Sequence, residues 1–162
     1  MLEQRGRKVT LLDGDVVRTH LSSGLGFTAD DRSTNIRRIG FVATEVTRHG
    51  GFTICACIAP YDALRREVRR MVESVGGFLL VHVATPQATC EARDPKGLYA
   101  RARAGQLPHF TGVTDPYEVP SDADVVIDTT VWSPENAALE IVRHLWKRGF
   151  ISDRVAQVGS PV

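Results

Sequence analysis

Four short runs of apolar and β-branched residues, Val9–Leu12, Thr53–Ile58, Phe78–Val83 and Asp124–Ile127, recur along the chain with helical segments between them. Runs of that length and apolarity suit parallel strands buried on both faces. The intervening segments carry helix signals. Thr28-Ala29-Asp30-Asp31 forms a capping box with Asp in place of Glu, and Ile36, Ile39, Ala43 and Val46 give the following helix an apolar stripe. Gly50-Gly51 ends it. Tyr61–Val75 reads as a second helix closed by Gly76-Gly77. Pro134 stands at a first-turn position, and Ala138, Ile141, Val142 and Leu145 form the inner face of the last helix. Strand–helix alternation of this kind predicts an α/β fold with a doubly wound parallel sheet.

A chain of 162 residues with 43% hydrophobic content supports one well-buried domain, placed here at residues 1–151. From Ser152 onward the sequence reads as a disordered tail, and residues 93–120, with Gly97, Gly105, Pro108, Gly112, Pro116 and Pro120, as a long mobile lid. A net charge of +1 gives no general pull toward nucleic acid or membrane. Arg65, Arg66, Arg69 and Arg70 share one side of their helix, but Glu67 and Glu73 interrupt them and no aromatic residues interleave, so they read as a solvated face. Lys8, Lys96 and Lys147 are the sole lysines; the arginine bias suits phosphate recognition and equally reflects a GC-rich genome. No stretch is long enough for a membrane span, and the first residues lack the apolar core of a signal peptide. Three cysteines argue against a disulfide framework and for a reducing cytoplasm. Cys55 and Cys57, two apart in a strand, are expected as buried thiols on one face.

Ligands of an open parallel sheet bind beyond the carboxyl ends of its strands. The chemistry-bearing residues cluster at those ends: Asp13 and Asp15 after the first strand, Ala59-Pro60 after the second, Thr85-Pro86 after the third, Asp128-Thr129 after the fourth. Asp13 reads equally as a turn or helix cap. Asp15, followed by Arg18, Arg32 and Asn35, reads as a carboxylate kept ionised among cations, able to orient a hydroxyl nucleophile or hold a magnesium-bound water. The pattern suggests a phosphate-rich ligand and a metal ion. No G-x-x-x-x-G-K-[ST] occurs in these residues.

Leu-Leu-Asp-Gly-Asp-Val-Val-Arg (11–18), Leu-Gly-Phe (25–27), Asp-Arg-Ser-Thr-Asn-Ile-Arg-Arg-Ile-Gly (31–40), Cys-Glu-Ala-Arg-Asp-Pro-Lys-Gly-Leu-Tyr (90–99) and Phe-Thr-Gly-Val-Thr-Asp-Pro-Tyr-Glu (110–118) closely resemble the adenylylsulfate kinases. That family phosphorylates the 3′-hydroxyl of adenosine 5′-phosphosulfate (APS) with ATP, giving PAPS for sulfate assimilation. The resemblance runs from about Arg5 to Phe150 in unbroken order. It implies a P-loop nucleotide-kinase fold lacking, in this chain, the first and central strand, the phosphate loop and its lysine. It implies that Asp15 is base or metal-orienting group, that Asp13 supports a Mg2+ shell through water, and that Lys96 reaches the phosphates from the lid. Arg18, Arg32 and Asn35 would hold the phosphosulfate, Phe27 and Phe110 would sandwich the adenine, Ile58 and Ala59 would contact the sugar through backbone, and Arg93 would line the ATP side. Phe27 and Phe110 also read as ordinary core aromatics, and Ile58 as a contributor to core packing.

Two positions depart from the family pattern. Val16 stands where many members have Asn, and Ala59 where many have Ser, so no phosphoserine can form there and transfer must be direct. The Ala-Pro-Tyr form at 59–61 resembles the versions fused to ATP sulfurylase. The expected partners are APS and ATP, a fused or associated ATP sulfurylase and a second copy in a homodimer, with no nucleic acid or membrane. The competing reading is a non-catalytic relative that binds APS, PAPS or a protein partner.

Overall fold

The computed structural model describes residues 1–152. A short 3-10 turn at Glu3–Arg5 leads into β1 (Val9–Asp13), followed by α1 (Gly14–His20), α2 (Ala29–Arg48), β2 (Phe52–Ala56) and α3 (Asp62–Glu73). The second half runs β3 (Val81–Val83), α4 (Gln87–Arg93), α5 (Leu98–Arg103), β4 (Val125–Ile127) and α6 (Pro134–Lys147). The four strand runs and three principal helices stand where the hydrophobic pattern places them. The helices α1, α4 and α5 are additional; α5 falls inside the segment expected as an irregular lid, and its Ala102 is buried. The tail expected from Ser152 lies, apart from Ser152 itself, outside the described residues.

Local chemistry explains the boundaries. Asp13 caps α1 by accepting from the N–H groups of Asp15 and Val16 at 3.0 and 3.5 Å. Thr28 caps α2 by accepting from Asp31 N–H, and Ser133 caps α6 by accepting from Asn136 N–H, with Pro134 in the first turn. Gly40 permits α2 to approach α3, since a Cβ there would stand 2.7 Å from a methyl of Val68. Val17, Ile36, Ile39 and Leu64 form a core between α1, α2 and α3, directly beneath the carboxyl ends of β1 and β2.

The strands form two sheets, not one. β1 pairs with β2 in parallel, Leu11 opposite Ile54, and β3 pairs with β4 in parallel, Val81 opposite Val125. β2 and β3 are not bonded to each other. A cleft of about 560 Å³ separates them, walled by Phe52 to Cys55 on one side and Phe78 to Val81 on the other. The third strand is shorter than the apolar run because residues 78–80 face this cleft and lack a ladder partner on that side. Cys55 corrects the expectation of buried thiols: it is exposed, and Cys57 half-buried, through the same cleft. Protein nonetheless surrounds both closely enough that burial pushes the Cys55 thiol up to about 12 and the Cys57 thiol up to about 11. Among the described residues no helix is long and apolar enough to cross a membrane.

Candidate functional site

The carboxyl end of β1 and the start of α1 deliver Asp13, Asp15 and Arg18 within a single turn of chain. Asp13 is spent in part on its cap, as the bland reading of that residue anticipates. Asp15 projects into solvent and receives Lys96 from the loop between α4 and α5, Nζ to Oδ2 at 2.8 Å. That hydrogen bond and the ammonium charge hold the Asp15 carboxyl below its usual value and raise Lys96 above its own. Residues 81 positions apart are thereby joined across the mouth of the site.

Beside this pair lies a cationic cluster. The Arg18 guanidinium stacks on the Phe27 ring, 4.2 Å from its centroid, and donates to the carbonyls of Leu25 and Gly26. The Arg32 guanidinium stands 5.7 Å from the same centroid. Burial and the neighbouring Arg32 charge lower Arg18 from its ordinary value, with Asp31 opposing. Two guanidiniums sharing one aromatic ring without full neutralisation favour an anion between or upon them. Arg32 also donates from Nε to Phe27 O at 3.0 Å and from Nη2 to His109 O, with Asp115 at 3.8 Å. This one side chain therefore draws together the Phe27 loop and the residue preceding Phe110. Asn35, one helical turn beyond Arg32, is buried, and its Oδ1 lacks a partner among the described residues.

The aromatic and backbone candidates are distributed around that cluster. Phe27 is 56% exposed, which removes the ordinary-core reading. Phe110 is half-buried and packs edge-on to Tyr99 with centroids 5.2 Å apart. Ile58 is 62% exposed, so the expected contribution to core packing is corrected: it lies past the end of β2, where the chain leaves the sheet. Ala59 follows at φ +43°, a left-handed conformation costly for a residue with a Cβ. Arg93 is not drawn into the group. Its Nη1 and Nη2 donate to Thr129 Oγ1 and O at 2.6 and 2.9 Å, at the end of β4 in the other sheet.

Residues the sequence reading passed over also shape the site. His109 supplies its carbonyl to Arg32, and Asp115, half-buried, sits beside both Arg32 and His109. Arg65, expected on a solvated face, is buried. Its position gave a signal: with Tyr61, Val68 and Val72 it falls in the apolar stripe of α3. Among the described residues no group of three or more His, Cys, Asp or Glu is placed to hold a metal ion. Asp13 and Asp15 nonetheless fit Mg2+ by type, because that ion keeps several waters and takes one or two carboxylates alongside substrate phosphates.

Comparison with known proteins identifies the family. The family model described as Adenylylsulphate kinase matches residues 1–128. The sulfate adenylyltransferase of Aspergillus terreus is 51% identical over 149 residues, covering 91% of this chain and 26% of that protein. The sulfate adenylyltransferase of Yarrowia lipolytica is 48% identical over 151 residues, covering 93% and 26%. The chain thus spans about a quarter of the length of these curated relatives. Among solved structures, the Mycobacterium tuberculosis APS kinase in complex with AMPPNP and APS superposes with a TM-score of 0.85 at 37% identity, covering 90% of this chain and 84% of that one. The hexameric APS kinase from Thiobacillus denitrificans gives a TM-score of 0.70 at 44% identity, covering 93% and 25%. The paired parallel strands, the cationic cluster at their carboxyl ends and these matches together place the chain in the adenylylsulfate kinase family, with the α/β fold of the P-loop kinases.

Proposed function

We propose that this chain is the APS-binding body of an adenylylsulfate kinase. In the reaction, the 3′-hydroxyl oxygen of APS bonds to the γ-phosphorus of ATP, the bond to the β-phosphate oxygen breaks, and ADP and PAPS result. The observation that carries the reading is the double role of Arg32, which joins the Phe27 carbonyl to the His109 carbonyl beside a second guanidinium. That arrangement suits an adenine between Phe27 and Phe110 and a phosphosulfate on Arg18, Arg32 and Asn35. The exposed Ile58 and the turned backbone of Ala59 suit contact with the sugar.

Asp15 then stands to accept or orient the 3′-hydroxyl proton, its ionised form favoured by Lys96. Lys96 exchanges its carboxylate partner for the transferred phosphoryl, whose charge it offsets as a mobile ammonium. Asp13 would hold Mg2+ through water, and the ion would supply charge neutralisation at the phosphates. Arg93 would line the ATP side from the end of β4. The names of the curated relatives support a fused or associated sulfate adenylyltransferase as the partner that supplies APS, and the hexameric relative supports self-association, for which a homodimer is the simplest form. A reducing cytoplasm suits three free cysteines.

The alternative reading is a binding module without catalysis, and the two readings divide on the phosphate loop, a G-x-x-x-x-G-K-[ST] that these 162 residues do not hold. Calorimetric titration of the purified chain with APS and with ATP tests the binding site. The expected result is saturable APS binding that Arg18→Ala abolishes, with ATP bound weakly or not at all. Absence of APS binding would overturn the assignment. A version carrying a phosphate loop then separates enzyme from module. In it Asp15→Asn is expected to lower turnover far more than APS affinity, because the carboxylate acts as the 3′-oxygen attacks.

A further inference from the structure

Arg65 is 6% exposed, and its guanidinium touches three pieces of chain. Nη1 donates to the carbonyl of Ala59 at 2.8 Å. Nη2 donates to the carbonyl of Glu118 at 2.6 Å and to Asp62 Oδ1 at 3.2 Å. The Tyr117 ring lies beneath it, 5.8 Å away. The same two loops are stitched twice more: Glu118 N–H donates to Pro60 O at 2.9 Å, and Asp62 N–H donates to Glu118 Oε2 at 2.5 Å. A buried cation spent on two backbone carbonyls from distant segments carries a desolvation cost, and its planar fork fixes both carbonyls relative to one another.

What it fixes lies at the site. On one side, Ala59 is held in its left-handed conformation by the bond to its carbonyl. On the other, Phe110 begins a tight turn that ends just before Tyr117 and Glu118. The Phe110 carbonyl accepts from Val113, Thr114 and Asp115 N–H at 3.0, 2.9 and 3.0 Å, and the Phe110 N–H donates to Thr114 Oγ1 at 2.8 Å. Only Pro116 and Tyr117 separate this bonded turn from Glu118, so the tie at Glu118 anchors the chain that carries Phe110. We infer that Arg65 is a positioning residue that fastens the end of the 93–120 segment to the turn after β2, setting the distance between the Phe110 wall and the Ile58-Ala59 floor of the APS site. The inference rests on the APS-site reading. Lysine cannot replace it, because a single ammonium does not reproduce a planar fork aimed at two carbonyls.

The test uses the full chain, with Arg65→Met, Arg65→Lys, Phe110→Ala and the two double variants, measuring APS affinity and amide hydrogen exchange. Arg65→Met and Arg65→Lys are each expected to raise the APS dissociation constant about tenfold, and much less once Phe110 is already alanine, since coupled residues are non-additive. The Asp62 and Glu118 amides are expected to exchange at least about tenfold faster while those of α2 are unchanged. Additive losses, or unchanged exchange at Asp62 and Glu118, overturn the proposal. If Arg65→Met does not fold, Arg65→Lys and Tyr117→Leu carry the same cycle. If the unmodified chain does not bind APS, that failure belongs to the site reading, and exchange alone decides whether Arg65 fastens the two loops.

Discussion

The 93–120 segment is tied down at both ends by a cation, and the two ties differ in almost every physical respect. At its front, Lys96 meets Asp15 with side chains 65% and 82% exposed. At its rear, Arg65 meets Glu118 and Asp62 from inside the protein. An exposed ion pair gains little over its hydrated partners and is screened by salt. A buried guanidinium has lost its water and cannot be released without leaving an unpaired charge. Between these ends, Arg103 bonds Glu91 at 2.7 Å and Gln87 bonds the Gly112 carbonyl, so the middle of the segment is held against α4. Arg93, at the start of the segment, is itself bonded to Thr129, so the exposed Lys96 contact is an easily released tie in a segment held elsewhere. Under the proposed APS-site reading, substrate would enter by breaking that contact while Phe110 keeps its place.

The contrast breaks most visibly at Arg65. Arg65→Met is expected to lower the unfolding free energy by about 3 kcal/mol, the lower end for breaking a buried pair, because Asp62 is partly exposed. Urea denaturation with an unchanged slope would measure it. A loss no larger than that of Lys96→Ala would show the two ties to be equivalent. Arg32 comes next, since it links the 93–120 segment to the Phe27 loop from the site side. Arg32→Ala is expected to weaken APS binding by about 1.5–3 kcal/mol, the range for charged hydrogen bonds. Equal loss of any residual ATP binding would make Arg32 a purely structural link. Ala59→Gly sharpens the rear tie further. It removes the left-handed strain at φ +43° and adds freedom to the unfolded chain, leaving a gain of about 0.5–1 kcal/mol. Destabilisation would mean that the alanine methyl packs usefully there.

How far all this can be read from sequence depends on whether a residue's partners are near or distant in the chain. The caps Thr28 and Ser133 and the stripe of α2 are legible because each depends on residues within a turn or two. Arg18, Arg32 and Asn35 are legible as an anion-binding group because two successive helices, α1 and α2, carry them within 18 positions of chain. Arg65 is hard to read from sequence because a charged residue at helical spacing ordinarily faces water, and the carbonyls it bonds lie 6 and 53 residues away. The cleft between β2 and β3 was legible only through the family resemblance; periodicity identifies strands and not their neighbours. Exposure of Leu11 and Ile54, directly opposite one another in β1 and β2, has the same origin: apolar runs announce burial but do not say what covers them.

The smallest effect is expected at the front. The Lys96 hydrogen bond holds the Asp15 carboxyl below the ordinary 3.8, so Asp15 in the folded protein takes up its proton at lower pH than in the unfolded chain. The sign follows: whatever stability the pair contributes is fully present above 3.8 and fades as pH falls through the lowered value. Both side chains are largely in water, so that contribution is expected to lie below detection in thermal melts. Asp15→Asn should therefore melt with the unmodified protein at neutral pH, while amides of residues 95–97 exchange faster because the Lys96 contact is lost. High salt on the unmodified protein should reproduce that exchange pattern without moving the melting temperature. A melting temperature for Asp15→Asn lowered as far as that of Arg65→Met would show that the Lys96 contact is as structural as the Arg65 tie and is not released at little cost.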